Sequence, residues 1–559
     1  MASFTQEVMG IFKNNVVIPW RMSPLGLRFL ITILLVLGIF FRFVSLDQKV
    51  YWIDEAFTSL RVSGYTEAEV VQQVSNAPLV SIEALQKYQR PNAEKSIVDT
   101  IKSLAVEDPH HPPLYYVMAR FWAKLFGNSV AAMRSLPALF SVMALPCIYW
   151  LCIELFESPL TGLVAVALLA VSPFQVLYAQ EAREYSFWTV TILLSSIALL
   201  RAMRLQTKIS WSIYAITLAL SLYTFMFSGL VLIGHGIYVF TVERFRLSKK
   251  LIAYLLASVA GGLAFLPWLM VFVNNWGQFE HDQGWIKGGH SNLLYLCLTI
   301  IKNISLNFID NDFFLNPLIY KDVFRISNLI LLALIVYSFY FVCKNTPKRV
   351  WLFILTLTSV TILSLLFPDL ILGGIRVVTP RYEIPSYLGV QLAVAYLIST
   401  KIIGISTNIR QQKLWQLAMI ALVSGGVLSC AINSSIEVPW SKSLGQGVPE
   451  VASFLNRTNA SSSLLIGSPT TADLLSLSYK VNPKTHLLVK PQCFGCHVDS
   501  NSEEKINIPS IPSSFKDVFL LKAGAFQKWV KGFEEKPEYK LKPIASKTNP
   551  ILLWKLEKS

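Results

Sequence analysis

Eleven apolar runs limit what this 559-residue chain can fold into. Crossing a bilayer as a helix takes roughly 17–25 consecutive apolar residues. Runs of that order occupy Leu25–Leu46, Arg134–Phe156, Leu160–Tyr178, Tyr185–Met203, Trp211–Met226, Ser228–Val242, Leu251–Val273, Ile326–Cys343, Val350–Phe367, Pro385–Thr400 and Leu414–Ile432. Only 15% of the residues are charged, against about a quarter in a soluble domain. A polytopic α-helical membrane protein is therefore expected. No small-residue cleavage site follows the first run, which reads as a retained helix. The formal net charge of +15 is then assigned to cytoplasmic loop anchors and acidic membrane lipids, not to nucleic acid.

Lysine and arginine orient the spans. Short basic connections at 201–208, 243–250, 343–349 and 401–413 fall on one side, with Lys13, Arg21 and Arg28 ahead of the first span. The positive-inside rule makes that side cytoplasmic. The connection Glu154–Pro159 shares the side but carries no base. Residues 47–133, 179–184, 274–325 and 368–384 then lie outside, as does everything after Asn433. The expected organisation is a transmembrane domain over 1–432, with a large first outer loop at 47–133, and an outer soluble domain over 433–559. The expected location is a bacterial inner (plasma) membrane.

The tail has a different texture. An amphipathic run at Val448–Leu455 precedes SLLIGS (463–468), a helical pattern at Ala472–Tyr479, and apolar strands at 486–490 and 517–521. A helix at Ala525–Glu534 and a strand at 551–556 close it. Helices alternating with short apolar strands imply a small α/β domain. It has no glycine-rich phosphate loop, and Asp499–Ser514, rich in Ser, Asn and Pro, reads as a loop.

Four polar clusters gather on the outer side. They are the acidic pair Asp54 and Glu55 in YWIDEAFTSL (51–60), EDPHHPPLYY (107–116), QEAREYS (180–186) and RVVTPRYEIP (376–385). Charge in hydrocarbon is costly, so each belongs at the interface or in a watered cavity. Each also has an ordinary reading. Asp and Glu in a first helical turn suit the positive end of the helix dipole. Arg183 would anchor an interface with Glu181 or Glu184 as partner, and Arg381 and Tyr382 would be belt residues. His110 and His111 would be loop residues before a helix. That helix, Leu114–Phe126, is too short and too charged to span, and Arg120 and Lys124 on one face place it in the membrane interface. What sets the clusters apart is that one leaflet collects carboxylates, histidines and arginines at four separate helix ends.

WIDEAFT after the first span resembles the acidic motif of the C-type (GT-C) membrane glycosyltransferase superfamily. HPPLYYVMARFWAKLFGNS (111–129), RSLPALF (134–140) and SPFQVLYAQEAREYS (172–186) are similar to the landmarks that follow it, and RYEIP (381–385) is a looser match. Their order resembles the family-39-like branch, which includes the protein O-mannosyltransferases and the bacterial aminoarabinose transferases. The resemblance covers residues 25–205 and does not reach the tail. It implies a transferase moving a monosaccharide from a polyprenyl-phosphate donor to a lipid, glycan or protein acceptor on the outer face, with inversion. It further implies Asp54 as the catalytic carboxylate with Glu55 supporting it, since a carboxylate can take the proton of an attacking hydroxyl. Arg183 and Arg381 would bind the donor phosphate, which suits a guanidinium, with His110, His111 and Tyr382 as further contacts. Two departures stand out. His110-His111 replaces the Glu-Lys of the aminoarabinose transferases, and Thr58 stands where an arginine is expected, with Arg61 three residues on.

CFGCH (493–497) has the C-x-x-C-H spacing of haem attachment. A Cys493–Cys496 disulfide or packed thiols are favoured over haem because the motif is alone, and a metal site is the remaining reading. No cofactor is assigned. A divalent cation held by the acidic pair with Asp108 and the histidines is an alternative that no ligand spacing enforces. The competing function is a transporter or flippase with an outer binding domain. It calls for ionisable residues in mid-membrane or paired broken helices, and His235 is the main internal candidate.

Overall fold

The computed structural model of the chain describes residues 24–282, 284–287, 292–310, 317–403, 409–458, 460–494, 496, 510–524, 526–536, 538–544 and 553–558. Helix α1 (Pro24–Phe43) leads into the long first loop, whose helices are α2 (Ile53–Ser63), α3 (Glu67–Asn76), α4 (Ile97–Glu107) and α5 (Leu114–Phe126). The bundle continues through α6 (Val130–Phe156), α7 (Pro159–Ala170), α8 (Pro173–Ala179), α9 (Tyr185–Leu205), α10 (Lys208–Thr224), α11 (Ser228–Val242) and α12 (Lys249–Asn274). After α13 (Leu293–Ser305) it closes with α14 (Pro317–Asn345), α15 (Lys348–Leu372), α16 (Ile384–Ile403) and α17 (Ile409–Ser435).

Each expected span falls on helix, but the count of eleven crossings does not follow from length and apolarity. Among the described residues six helices are long and apolar enough to cross a membrane, or seven if one bent pair is a single span. That pair corrects the straight span expected at 160–178. Pro173 takes the first position of α8 and Ser172 caps it, so α7 and α8 meet at 60°. Proline cannot continue the hydrogen-bond ladder of a preceding helix, and it suits a helix start. Leu256 and Leu263 on α12, Ile330 and Val336 on α14 and Leu417 on α17 are exposed. An apolar exterior of this kind is what lipid covers.

Helix α5 has the expected bounds and an unexpected polarity. Arg120 is buried, donating through Nη1 to Val62 O (2.7 Å) and Thr100 Oγ1 (3.2 Å) and through Nη2 to Lys95 O. Phe121, Leu125 and Phe126 face outward instead. A guanidinium offers several donors, and the three hydrogen bonds from this one tie α5 to α2, α4 and the Lys95 backbone while the apolar side faces outward.

The tail adds α18 (Gly447–Leu455), α19 (Thr471–Ser478) and α20 (Phe526–Glu534) around a six-stranded sheet. Its strands are β1 (Val80–Ser81), β2 (Ser463–Ser468), β3 (His486–Val489), β4 (Asp517–Gly524), β5 (Tyr539–Pro543) and β6 (Leu553–Lys558), in the order β1-β3-β2-β4-β6-β5. β3, β2 and β4 run parallel, and β1, β6 and β5 pair antiparallel. Two strands are additions to the expected set. β1 is too short to show alternation, and β5 reads YKLKP, the lysine-rich chemistry of a protected edge.

β1 comes from the long first loop, not from the tail. Val50, Trp52, Leu60 and Tyr65 share a core with Leu465, Leu475 and Phe519, so the helix bearing the acidic motif is held by tail residues. Cys493 and Cys496 form a disulfide. Both sulfurs are thereby engaged with each other, the disulfide reading of CFGCH. His497 and most of the loop expected at 499–514 lie outside the described residues.

Candidate active site

The two adjacent carboxylates of the acidic motif point apart. Trp52 is the N-cap of α2 and makes no side-chain cap. Glu55 in the first turn turns inward and is completely buried. Arg134 donates to it through Nε and Nη2 (2.7 Å each), Lys442 Nζ at 2.6 Å and the Ala182 amide at 2.9 Å. Arg134 also donates to the carbonyls of Leu46 (2.6 Å), Lys49 (3.0 Å) and Val50 (2.7 Å). Burial alone would raise the pKa of Glu55, but Arg134 and then Lys442 outweigh it and hold it well below the usual range. Lys442 is lowered to about 8 by burial and by Arg134, against the pull of Glu55. The expectation that both carboxylates face one water layer is corrected: Glu55 is the joint between α2, α6, the turn before α9 and the tail.

Asp54 faces the other way and keeps 21% of its side chain exposed. Its Oδ2 lies 3.4 Å from Arg381 Nη2 and has no hydrogen-bond partner among the described residues. Arg381, in the short turn before α16, is framed by the rings of Trp52 (5.7 Å), Tyr185 (5.8 Å) and Tyr382 (5.6 Å). Such faces attract a guanidinium without neutralising it.

Arg183 reaches the same region from the turn between α8 and α9. Its Nη1 donates to Tyr116 OH (3.2 Å), Thr58 Oγ1 (3.3 Å) and the Asp54 carbonyl (3.5 Å). Its Nη2 lies 2.6 Å from His111 Nε2, and His111 Nδ1 is 2.7 Å from Asp108 Oδ1. His110 Nδ1 is 3.3 Å from the same oxygen. Burial and then His111 lower the pKa of His110 to about 3, so it is neutral. Pro112 and Pro113 prevent a helix here, and Trp268 Nε1 on α12 props the loop by donating to the Pro109 carbonyl (3.1 Å).

Residues 110–271 match the family model described as dolichyl-phosphate-mannose-protein mannosyltransferase. Comparison with curated protein sequences gives no match. Among solved structures, ArnT from Cupriavidus metallidurans in the apo state aligns with a TM-score of 0.51 at 11% identity, covering 95% of this chain and 98% of that one. The chain has the C-type membrane glycosyltransferase fold. The same ArnT bound to undecaprenyl phosphate aligns with a TM-score of 0.47 at 11% identity, over 96% of this chain and 98% of that one. The apo oligosaccharyltransferase of Archaeoglobus fulgidus gives 0.45 at 11% identity, and the match covers 83% of this chain but 65% of that one.

Within this fold, Asp54, Arg183, Arg381, His111 and Tyr382 converge, whereas Glu55 lies behind them. Thr58, at the position expected to be arginine, accepts from Arg183 and donates to the Asp54 carbonyl (2.9 Å). Arg61 turns away to an ion pair with Glu107 (2.6 Å). Sequence reasoning missed the contribution of Lys442, which no local pattern marks, and of Arg134, which reads as the first residue of a span. Two groups among the described residues have donor atoms close enough to hold an ion, within 4.8 Å of one another: Asp108, His110 and His111, and Glu67 with the two disulfide sulfurs. A divalent ion would thus be held by the Asp108 loop without the acidic pair.

Glu181 is a further residue whose part the sequence hides. It is completely buried, and neither oxygen has a hydrogen-bond partner among the described residues. Burial raises its pKa to about 8, with Lys442 opposing and Glu55 and Asp54 adding to the rise. Folded protein therefore keeps this proton between the ordinary carboxyl value, ~4.3, and about 8, while unfolded chain loses it. The linked stability is present at low pH and declines as pH rises through that window. Glu181→Gln should flatten the fall in melting temperature between pH 5 and 8. An unchanged slope would show that Glu181 is ionised.

Proposed function

We propose that the protein is a glycosyltransferase that moves a monosaccharide from a polyprenyl-phosphate donor to a hydroxyl of a lipid, glycan or protein acceptor at the outer membrane face. The observation that carries this reading is the convergence of one partly exposed carboxylate and two arginines from three separate segments. The matched family's description names a dolichyl-phosphate sugar, which suits the same chemistry. The acceptor oxygen attacks the anomeric carbon and gives its proton to Asp54. The bond from that carbon to the phosphate oxygen breaks on the opposite side, so configuration inverts and the electron pair leaves on the lipid phosphate. Arg183 and Arg381 stabilise that developing charge, and Tyr382 shapes the pocket beside Arg381.

In the resting site Arg381 is close to Asp54. The donor's phosphodiester, with one negative charge shared over two free oxygens, competes for the guanidinium and forms the better, forked contact, which strengthens as the second charge develops on the leaving lipid phosphate. Donor binding thereby frees the base. Arg183→Ala or Arg381→Ala should lower the transfer rate about 10²–10³-fold, the range for loss of a fixed donor beside developing charge. Lysine at either position should restore only part of it, because a point charge cannot make the fork. Transfer from undecaprenyl-phosphate-linked sugars in membranes, at matched protein amounts, is the measurement. Wild-type rates in both alanine variants would remove the arginines from the reaction.

A transporter has less behind it. His235 sits 3.3 Å from both Ser196 Oγ and Tyr214 OH, an ordinary buried arrangement. Among the described residues there is one broken span, where inverted repeats call for a pair. The outer location rests on the basic connections. A reporter fused after Ser559 that works only in the cytoplasm should stay silent. A strong signal would reverse the orientation.

A further inference from the structure

We propose that Asp108 and His111 form a fixed hydrogen-bond relay that positions Arg183, with His111 acting through the arginine and making no contact of its own with the lipid phosphate. This rests on the reading of Arg183 as a phosphate ligand. The donor and acceptor roles follow from one constraint. An arginine side chain has donors only and keeps its protons. At 2.6 Å from Arg183 Nη2, His111 Nε2 must therefore present its lone pair. The ring proton is then on Nδ1, which faces the Asp108 carboxylate at 2.7 Å. Asp108 is itself fixed at the end of α4, where the His111 amide donates to its carbonyl (3.0 Å).

The competing arrangement has a proton on Nε2 directed at Glu184 Oε1, 3.4 Å away. It would set two donors against each other across 2.6 Å, so the arginine decides the tautomer. Among the described residues the remaining hydrogen-bond partners of Arg183 are Tyr116 OH, Thr58 Oγ1 and the Asp54 carbonyl, all neutral. Glu184 stands 3.5 Å from Nε and is not hydrogen-bonded to it. The relay thus fixes the fork in direction without a tight carboxylate partner, which is what a phosphate site needs. It also reassigns His111: a histidine whose Nε2 accepts from arginine has no proton there to offer a phosphate.

The test uses the full chain in detergent with EDTA, and undecaprenyl phosphate as the binding probe. Nitrogen chemical shifts of ¹⁵N-histidine protein, assigned by loss of the signal in His111→Gln, should show Nδ1 protonated and Nε2 bare. The reverse tautomer overturns the relay whatever the function of Arg183. In binding, His111→Phe keeps the ring volume but has no acceptor, and should weaken the probe roughly tenfold, the effect of one hydrogen bond to a charged group. His111→Gln, whose amide oxygen can accept from Arg183, should stay within about threefold of wild type on the same scale. Arg183→Ala should be weaker still, and adding His111→Phe to it should change nothing further, because the histidine acts only through the arginine. Additive losses would give His111 its own contact with phosphate and overturn the relay. Normal binding by Arg183→Ala would instead take down the phosphate reading on which the relay rests.

Discussion

Glu55→Gln should cost the folded protein about 3–5 kcal/mol, the penalty for breaking a buried ion pair and stranding its partners. The substitution is nearly isosteric, so the loss is electrostatic. Arg134 and Lys442 would remain buried around a neutral amide. Lys442 can shed its proton at modest cost, being already lowered to about 8, whereas Arg134 cannot. Adding Lys442→Met to Glu55→Gln should therefore recover part of the stability, and the double variant should melt above the single one. Melting temperature and monodisperse yield in detergent report both effects. A Glu55→Gln protein with the wild-type melting temperature would show that the joint does not hold α2 in place.

That joint also marks how far the sequence could be read. The spans and the ends of α5 follow from runs and breakers a few residues long, and so do most elements of the tail. Asp54 stands out because a carboxylate so near a span end is costly unless hydrated, and Arg183 and Arg381 because they close outer helix ends. These are local signals. The partner of Glu55 is not local: Lys442 is 387 residues away in the chain, and a lysine in WSK has no distinguishing neighbours. The same holds for β1, two residues of the first loop that join a sheet built from the tail. Composition also misled in one direction. Arg120 and Lys124 share a helical face by spacing, yet Arg120 is buried because three acceptors from other segments meet its donors. A charge's side of a helix depends on what packs against it.

The division of labour between the two neighbouring carboxylates is the centre of the proposed reaction, and substitution at Asp54 addresses it without disturbing the fold. Its Oδ2 has no hydrogen-bond partner among the described residues, so an amide there gives up the 3.4 Å charge contact with Arg381 but breaks no hydrogen bond. Asn is also about as good as Asp near a helix start. Asp54→Asn should therefore express, melt and bind undecaprenyl phosphate like the wild type. It cannot accept a proton, and loss of a general base costs about 10²–10⁴ in rate. The most direct measurement is the initial rate of glycosyl transfer by purified Asp54→Asn protein, at matched amounts and with lipid-phosphate binding verified. A rate lowered about 10²–10⁴-fold with binding intact is the expected result. Transfer at the wild-type rate would contradict it and would mean that the proton leaves by another group.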